Sequence, residues 1–357
     1  MSGPRRRVVL PDGSRQSLFG KTQRAALDEL GALRKSQEKG ISHPNDRQKV
    51  GTYLTTWLEG ARPKVRPRTW IRYEQLARVH TDSIAKLPLA KLGPQHIERL
   101  YAERLNAGSA PMTVRHLHAV LHKAFEQAEK WGLVARNAVA LVSPPTAAHQ
   151  EMKTLSEAQT RTFLEAVAGE RFEALHVLAV STGMRQGEIL ALRWSDLDLD
   201  RASAQIQRSV QFVTGRYIFT PPKTAKSRRK VELTQTAIAA LRRQRVRQIA
   251  ERLASAGGWD DQDLVFADEA GGPTSPDRVR WAFQRVLKTA GLPRIRFHDL
   301  RHTAATLLLG RGVHPKIVSE MLGHSTIAIT LDLYSHVTPT MQREAAAVLE
   351  VVLGGGA

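Results

Sequence analysis

Two adjacent prolines, Pro144 and Pro145, stand in the polar run from Leu141 to Gln150. Such a run stiffens and extends a connection instead of packing in a core. The chain on each side must therefore bury apolar surface of its own. From Gly51 to about Val139 the apolar residues recur at helical spacing: Trp70, Tyr73, Ala77 and His80 form one stripe, and Ile97, Leu100, Tyr101 and Leu105 another. A third and more regular one is Val114, Leu117, Leu121, Ala124, Phe125 and Ala128, with Pro111 suited to the first turn of its helix. Four such helices close a small bundle.

Beyond the prolines the pattern is mixed. Ser156 and Gln159 form a capping box ahead of a helix whose apolar side includes Phe163 and Val167. Leu175 to Val180 reads as a buried segment that leads to Gly183, where the chain can turn tightly, and then to Arg185 and Glu188 one helical turn apart. From Ala204 to Leu233 the period shortens to that of strands, through Ile206, Val210, Phe212, Tyr217 and Ile218, with Gly215 in a turn and Pro221-Pro222 ending one strand. A helix is expected from about Thr236 to Ser255, with Ile238, Leu241, Val246, Ile249 and Leu253 as its apolar stripe and its arginines turned to solvent or DNA. A further helix holds Trp281, Phe283 and Val286. Thr338-Pro339 signals a last one through Val352.

At the N-terminus, Arg5 to Leu10 and Arg15 to Phe19 are strand-like runs around Asp12-Gly13, a strong hairpin signal. A helix follows from about Thr22 to Lys39, stopped by Gly40, and the polar residues from Ile41 to Val50 read as a linker.

The chain has 357 residues, with 53 Lys and Arg against 34 Asp and Glu, a formal charge of +19. The basic residues cluster, as in Arg5-Arg6-Arg7, Arg228-Arg229-Lys230 and the run from Arg242 to Arg247. That excess is an electrostatic footprint for a polyanion, nucleic acid first among them. There is no cysteine, which removes disulfides, thiol nucleophiles and Cys-based zinc sites and suits a reducing cytoplasm. No apolar run reaches the ~20 residues of a membrane-spanning helix. The expectation is a soluble cytoplasmic protein without a membrane partner.

The stretch from His298 to Tyr334 holds three elements that could act on one phosphate: His298 with Arg301 three residues on, His324 after Leu322-Gly323, and Tyr334. On a helix, positions i and i+3 share a face, so an imidazole and a guanidinium fork would converge. Two readings of a basic chain like this remain open from the residues. One is a helix-turn-helix regulator, with Lys316 to Leu322 and Ser325 to Leu333 as short helices about Gly323. The other is a phosphoryl-transfer enzyme.

The wording of several stretches resembles the tyrosine recombinases, the phage-integrase family: FHDLRHT, EMLGHS and TLDLYSHV near the C-terminus, TGMRQGEILALRWSDLD around Arg185, PPKTAKSRR around Lys223, and VRPRTWIRYEQL with TVRHLHAVLHKAFEQAEKWGLVARN in the helical part. The resemblance implies a multidomain, mostly α protein with a small β-sheet. A truncated arm-type hairpin and helix would occupy residues 1–45, lacking the strand with which that unit normally begins. A helical core-DNA-binding bundle follows at 48–140, a linker at 141–150, and a mixed α+β catalytic domain with a C-terminal helix at 151–357. The two basic lobes would close on a duplex as a clamp.

It also implies site-specific cutting and rejoining of DNA through a 3′-phosphotyrosyl intermediate, with integration or excision of a mobile element. Tyr334 would be the nucleophile. Arg185 and Arg301 would grip the phosphate, Glu188 would support Arg185, and His298 would serve as base. His324 would hydrogen-bond the phosphate, and Lys223 would protonate the leaving oxygen, with Lys226 the alternative lysine. Candidate DNA contacts are Arg66, Arg68, Arg72, Arg115, His118, Lys123, Lys226, Arg228 and Arg229. With no tight carboxylate cluster in the sequence to hold Mg²⁺, the expected chemistry uses no metal, no ATP and no cofactor. The implied partners are double-stranded attachment sites, a homotetramer on DNA passing through a Holliday junction, and accessory DNA-bending or directionality proteins. A type IB topoisomerase, with a similar tyrosine and basic set, is the nearer alternative.

Overall fold

The computed structural model describes residues 5–9, 15–19, 24, 48–147, 152–222, 228–255, 257–324, 326–334, 349–350 and 353–354. The chain divides into two compact units, Met1–His149 and Gln150–Ala357.

In the first unit β1 (Arg5–Val9) pairs antiparallel with β2 (Arg15–Phe19), Arg5 opposite Phe19 and Val9 opposite Arg15. The helix expected from Thr22 to Lys39 lies outside the described residues but for Arg24. Then come α1 (Val50–Ala61), α2 (Pro67–His80), the short α3 (Asp82–Ala85), α4 (Pro94–Asn106) and α5 (Pro111–Lys130). Prolines open α2, α4 and α5, where the missing N–H has no intrahelical partner to lose. The expected stripes of α4 and α5 face the core, where Ile97, Leu100 and Tyr101 meet Val114, Leu117, Leu121, Ala124, Phe125 and Ala128. On α2 the buried residues are Leu76 and Ala77, and Trp70 and Tyr73 are only half covered. Tyr53 sinks its ring into the core and donates its hydroxyl to the Ala124 carbonyl at 2.6 Å, so its own buried donor is paired. The core reaches past the helices into the proline run: Val142 is buried against the bundle, and Arg115 Nη1 donates to the Pro145 carbonyl at 3.4 Å. Apolar burial of Val142 thus anchors the start of a segment that composition alone reads as pure connection.

In the second unit α6 (Glu157–Val167) begins with the expected capping box, Ser156 Oγ accepting from Gln159 N and Gln159 Oε1 accepting from Ser156 N. Its neighbour α7 (Glu173–Thr182) is buried on nearly every side and runs through the middle of the unit. After the one-turn α8 (Gln186–Ile189), β3 (Leu197–Asp198), β4 (Ser203–Ile206) and β7 (Arg229–Glu232) make one antiparallel sheet. A separate hairpin joins β5 (Ser209–Val213) to β6 (Arg216–Thr220). Long helices α9 (Gln235–Ala254) and α10 (Pro276–Thr289) precede the three that carry the C-terminal motifs, α11 (Asp299–Gly310), α12 (Pro315–Leu322) and α13 (Ala328–Tyr334). Helices α9 and α11 both pack on α7. The architecture is mostly helical with small antiparallel sheets, as expected. Among the described residues no helix is long and apolar enough to cross a membrane.

One expectation fails on α9. Its buried face is Ala237, Ile238, Ala240, Leu241 and Gln244, whereas Val246, Ile249 and Leu253 are 70%, 53% and 79% exposed. The arginines assigned to solvent or DNA hold the helix down instead. Arg243 Nη2 pairs with Glu173 Oε1 at 2.5 Å, and Arg247 donates to the carbonyls of Gly169, Glu170 and Arg171 at 3.0, 2.9 and 2.7 Å. The Glu170 carbonyl also accepts from Glu173 N at 3.0 Å, and a guanidinium with five donors reaches three carbonyls of the turn between α6 and α7 at once. Those contacts, and not apolar periodicity, go with the face that α9 buries.

The core also encloses His176, whose two ring nitrogens lack hydrogen-bond partners among the Phe163, Phe283 and Phe297 rings. Burial drives its pKa down to about 3. An unfolded chain binds a proton on this residue below pH 6.5 that the native fold refuses. The stability it contributes is therefore complete above that value and is lost as pH falls toward 3. Its share of the loss between pH 7 and pH 5 is roughly 2 kcal/mol. In urea unfolding at the two pH values, the His176→Leu variant should show a correspondingly smaller difference than the unaltered protein. An unchanged difference would mean that the native imidazole is not held neutral.

Candidate active site

Helix α7 is apolar nearly all round, and it needs a residue that can leave the helix sharply at its end. Gly183 does so with φ 62°, its N–H returning to the Ala179 carbonyl at 3.2 Å. No other residue fits, because a Cβ there would stand 2.2 Å from Leu322 Cδ2 of α12. The turn sets Arg185 at the N-cap of α8. Its backbone N–H donates to Glu188 Oε2 at 3.0 Å and its Nη1 to Oε1 at 2.7 Å, so one carboxylate fixes both ends of the arginine. Arg185 Nη2 reaches the Gly323 carbonyl at 3.3 Å.

Helix α11 brings the second guanidinium. His298 stands just before the helix, and Asp299 in its first turn is fixed by Arg296. Arg301, 3% exposed, donates Nη1 to the Gly183 carbonyl at 2.7 Å, across 118 positions of sequence. Its Nη2 is buried without a protein partner, as is His302 Nδ1. The His298 and His302 rings meet edge to face at 5.1 Å.

Helix α12 supplies the third edge. It ends at Gly323, φ 67°, and leads into His324, which is 8% exposed and shares a 2.8 Å hydrogen bond between Nδ1 and the Thr330 hydroxyl of α13. Tyr334 is the last residue of α13. Its side chain lies outside the described residues, and so do Lys223 and Lys226.

The two arginines predicted to share a phosphate thus lie in one place, Arg301 tied to the turn before Arg185 and Arg185 to the turn before His324. Glu188 is 4% exposed and pairs with two guanidiniums, Arg185 and Arg229, the latter at 3.2 Å. Arg229 is the correction to the sequence reading. Expected on DNA, it turns inward with a side chain only 7% exposed and spends Nε on the Met321 carbonyl at 2.6 Å. Nothing in the basic run Arg228-Arg229-Lys230 marks the middle residue as different. The strand alternation does, since β7 turns Arg229 and Val231 to the same side and Val231 is core. Arg228 is exposed. Thr330 and His302 were also missed, although both stand inside the motifs.

Of the other candidate DNA contacts, Arg68 and Arg72 on α2 and Arg115 on α5 are exposed. Lys123 of α5 is exposed over the Tyr73 ring at 5.6 Å. Arg66 precedes α2. His118 is half-buried, one ring nitrogen 2.9 Å from the Tyr101 hydroxyl.

Three guanidiniums and one carboxylate leave a surplus of positive charge, with Glu188, Arg229 and Arg301 largely out of water and Arg185 partly exposed. Burial, and then the repulsion of Arg185 and Arg229, bring the Arg301 pKa down to about 9, with Glu188 opposing. Burial first and the neighbouring His302, Arg301 and Arg185 next lower His298 to about 4. His324 falls to about 4 through burial and then Arg301 and Arg185. Both imidazoles are neutral at pH 7, and the site invites an anion.

Glu188→Gln would remove the counter-charge and leave the cations facing one another. We expect a loss on the order of 3 kcal/mol in urea unfolding, since an ion pair broken from one side leaves its partners uncompensated. If added sulfate or phosphate fails to restore part of the loss, the repulsion argument is wrong.

Residues 148–341 match the family model described as the phage integrase family, and residues 49–105 match its N-terminal SAM-like domain. A tyrosine recombinase XerC-like protein of Caldanaerobacter subterraneus subsp. tengcongensis is 30% identical over 356 residues, covering 94% of this chain and 91% of that protein. The ICEBs1 integrase of Bacillus subtilis is 24% identical, with 93% and 91% covered. Among solved structures, the Tn1549 transposon integrase in complex with a circular intermediate DNA superimposes with a TM-score of 0.71 at 22% identity, over 83% of this chain and 99% of that one. A lambda integrase tetramer bound to a Holliday junction gives 0.61 at 19%, over 92% and 91%. The chain therefore belongs to the phage integrase family and is a tyrosine site-specific DNA recombinase.

Proposed function

We propose that this recombinase cuts one DNA strand by attack of the Tyr334 phenolic oxygen on the scissile phosphorus. The bond from phosphorus to O5′ breaks, a 3′-phosphotyrosyl bond forms, and a 5′ hydroxyl is released. The observation that carries this reading is the convergence of Arg185 and Arg301 beside Gly183 and Gly323, with positive charge in excess of Glu188. A phosphodiester carries one negative charge and a pentavalent phosphorane two, so fixed, partly dehydrated guanidiniums hold the transition state more tightly than the substrate. Arg301 Nη2, buried and unpartnered, is a donor waiting for a non-bridging oxygen.

A phenol ionises near pH 10 and needs help at neutral pH. His298, neutral because burial and its cationic neighbours hold its pKa near 4, is the acceptor for that proton. His324 donates to the phosphate, and Lys223 gives a proton to O5′, with Lys226 as the alternative. One phosphoester replaces another, so no nucleotide is consumed. A 5′ hydroxyl from a partner duplex reverses the step, and four protomers exchange strands through a Holliday junction at double-stranded attachment sites.

In this reading residues 48–140 bind core DNA through Arg66, Arg68, Arg72, Arg115 and Lys123, residues 141–150 link, and residues 151–357 carry the chemistry. Residues 1–45 form an arm unit. Accessory DNA-bending or directionality proteins act with it in the cytoplasm. A regulator that only binds is disfavoured by α12 and α13 themselves. The Gly323 carbonyl at the turn between them is taken by Arg185, so the turn is part of the cation cluster. Relaxation of plasmid without strand exchange would mark the topoisomerase alternative.

Tyr334→Phe should bind an attachment-site duplex like the unaltered protein and form no covalent adduct on a nicked suicide duplex; an adduct at another residue would refute the assignment. A duplex with sulfur in place of the bridging 5′ oxygen has a leaving group that needs no protonation. It should restore cleavage by Lys223→Ala but not by Tyr334→Phe. Restoration by Lys226→Ala, with Lys223→Ala unaffected on normal DNA, would move the role to Lys226.

A further inference from the structure

We infer that Arg229 is a positioning residue for this reaction: its single guanidinium ties the turn that carries Arg185 and Glu188 to the helix end that carries His324, fixing the gap in which the phosphate is held. The inference rests on the reading of Arg185 and His324 as phosphate-binding groups. The two groups come from segments more than a hundred residues apart, and no continuous element spans them. Arg185 reaches across to the Gly323 carbonyl at 3.3 Å, and Arg229 braces the gap from a third element, with Nη2 on Glu188 Oε2 at 3.2 Å and Nε on the Met321 carbonyl at 2.6 Å. The Met321 carbonyl belongs to the last turn of α12, where carbonyls lack intrahelical N–H donors, so the contact also caps that helix just before Gly323 and His324. A Cβ on Gly323 would stand 3.0 Å from Arg229 Nη1, so the guanidinium lies directly against the turn it braces.

The residue's own backbone is fixed as well. Arg229 opens β7 and pairs with Ile206 of β4, and it follows Lys223 by only six positions. The strand after the lysine is therefore pinned to the same carboxylate that orients Arg185. Sharing Glu188 has a second effect. With one carboxylate oxygen facing each guanidinium, Arg185 is oriented without being fully neutralised. Lysine cannot substitute, because a compact ammonium on a flexible stem does not hold two acceptors in one plane. Arg229 is also among the charges that hold the His324 imidazole neutral, after burial, Arg301, Arg185 and His302.

The test compares the unaltered protein with Arg229→Lys, Arg229→Gln and Tyr334→Phe. Equilibrium binding of an intact attachment-site duplex is measured beside the single-turnover rate of adduct formation on the nicked duplex at saturating protein. Both Arg229 variants should bind within about threefold of the unaltered protein and lose on the order of 100-fold in adduct rate, the scale of an ångström of misplacement. The acid limb of the pH–rate profile should move to higher pH in Arg229→Gln and stay in place in Arg229→Lys, which keeps the charge. An Arg229→Lys adduct rate within about threefold of the unaltered protein overturns the inference while leaving the tyrosine chemistry standing. If the unaltered protein forms no adduct, the chemistry itself has failed and the positioning role goes with it. Since a variant at a buried site can fail to fold, hydrogen exchange of the Arg229 Nε–H is followed in the unaltered protein by nuclear magnetic resonance. Strong protection is expected, and exchange as fast as an exposed arginine overturns the inference.

Discussion

A buried carboxylate between two guanidiniums, with a third close by, is the arrangement on which the rest of this site depends. Like charges brought together away from water repel strongly, and the fold tolerates it because Glu188 lies among them with both oxygens occupied. Burial first, and then the same repulsion, lowers the Arg301 pKa to about 9 and keeps His298 and His324 neutral. Cations gathered in this way repel one another in the protein alone, and in the proposed reaction a bound phosphate would offset that repulsion. Preorganised charge of this kind acts without rearrangement during the reaction.

Two left-handed glycines make the geometry possible. Gly183 ends α7 and its carbonyl accepts from Arg301 of α11; Gly323 ends α12 and its carbonyl accepts from Arg185. A Cβ on Gly183 would stand 2.2 Å from Leu322 Cδ2. The ends of α7 and α12 therefore approach closely, with the Arg185 bond joining them and the Arg301 bond tying α11 to the first. Local backbone freedom at two positions is converted into the spacing of the candidate site.

The helices around that site follow a simpler rule. Apolar faces at 3.6-residue spacing placed α4, α5 and α6 correctly, because their stripes are long and their starts are marked by Pro111 and by the Ser156–Gln159 box. The rule failed on α9, where Ala237, Ala240 and Gln244 form the buried face and longer apolar residues stay outside. Small residues let the helix approach closely. Arg243 and Arg247 then lock it to Glu173 and to carbonyls about 75 positions away in sequence. No hydropathy pattern within the helix contains that information.

The amino-acid sequence by itself determined the helical segments and the strand-rich stretch before α9, because these rest on spacing within short windows, and motif wording singled out Arg185, Glu188, His298, Arg301 and His324 as candidates. What only the tertiary structure decided is which basic residues face inward. Arg228, Arg229 and Lys230 are alike in charge, and only Arg229 lies between Glu188 and the Met321 carbonyl. Its role depends on partners 41 and 92 positions away, on elements whose meeting is fixed by the packing of α7 with its neighbours. Charge can be counted along a chain, but whether a charge is spent on the fold or offered to a ligand depends on what the folded chain brings within hydrogen-bond reach.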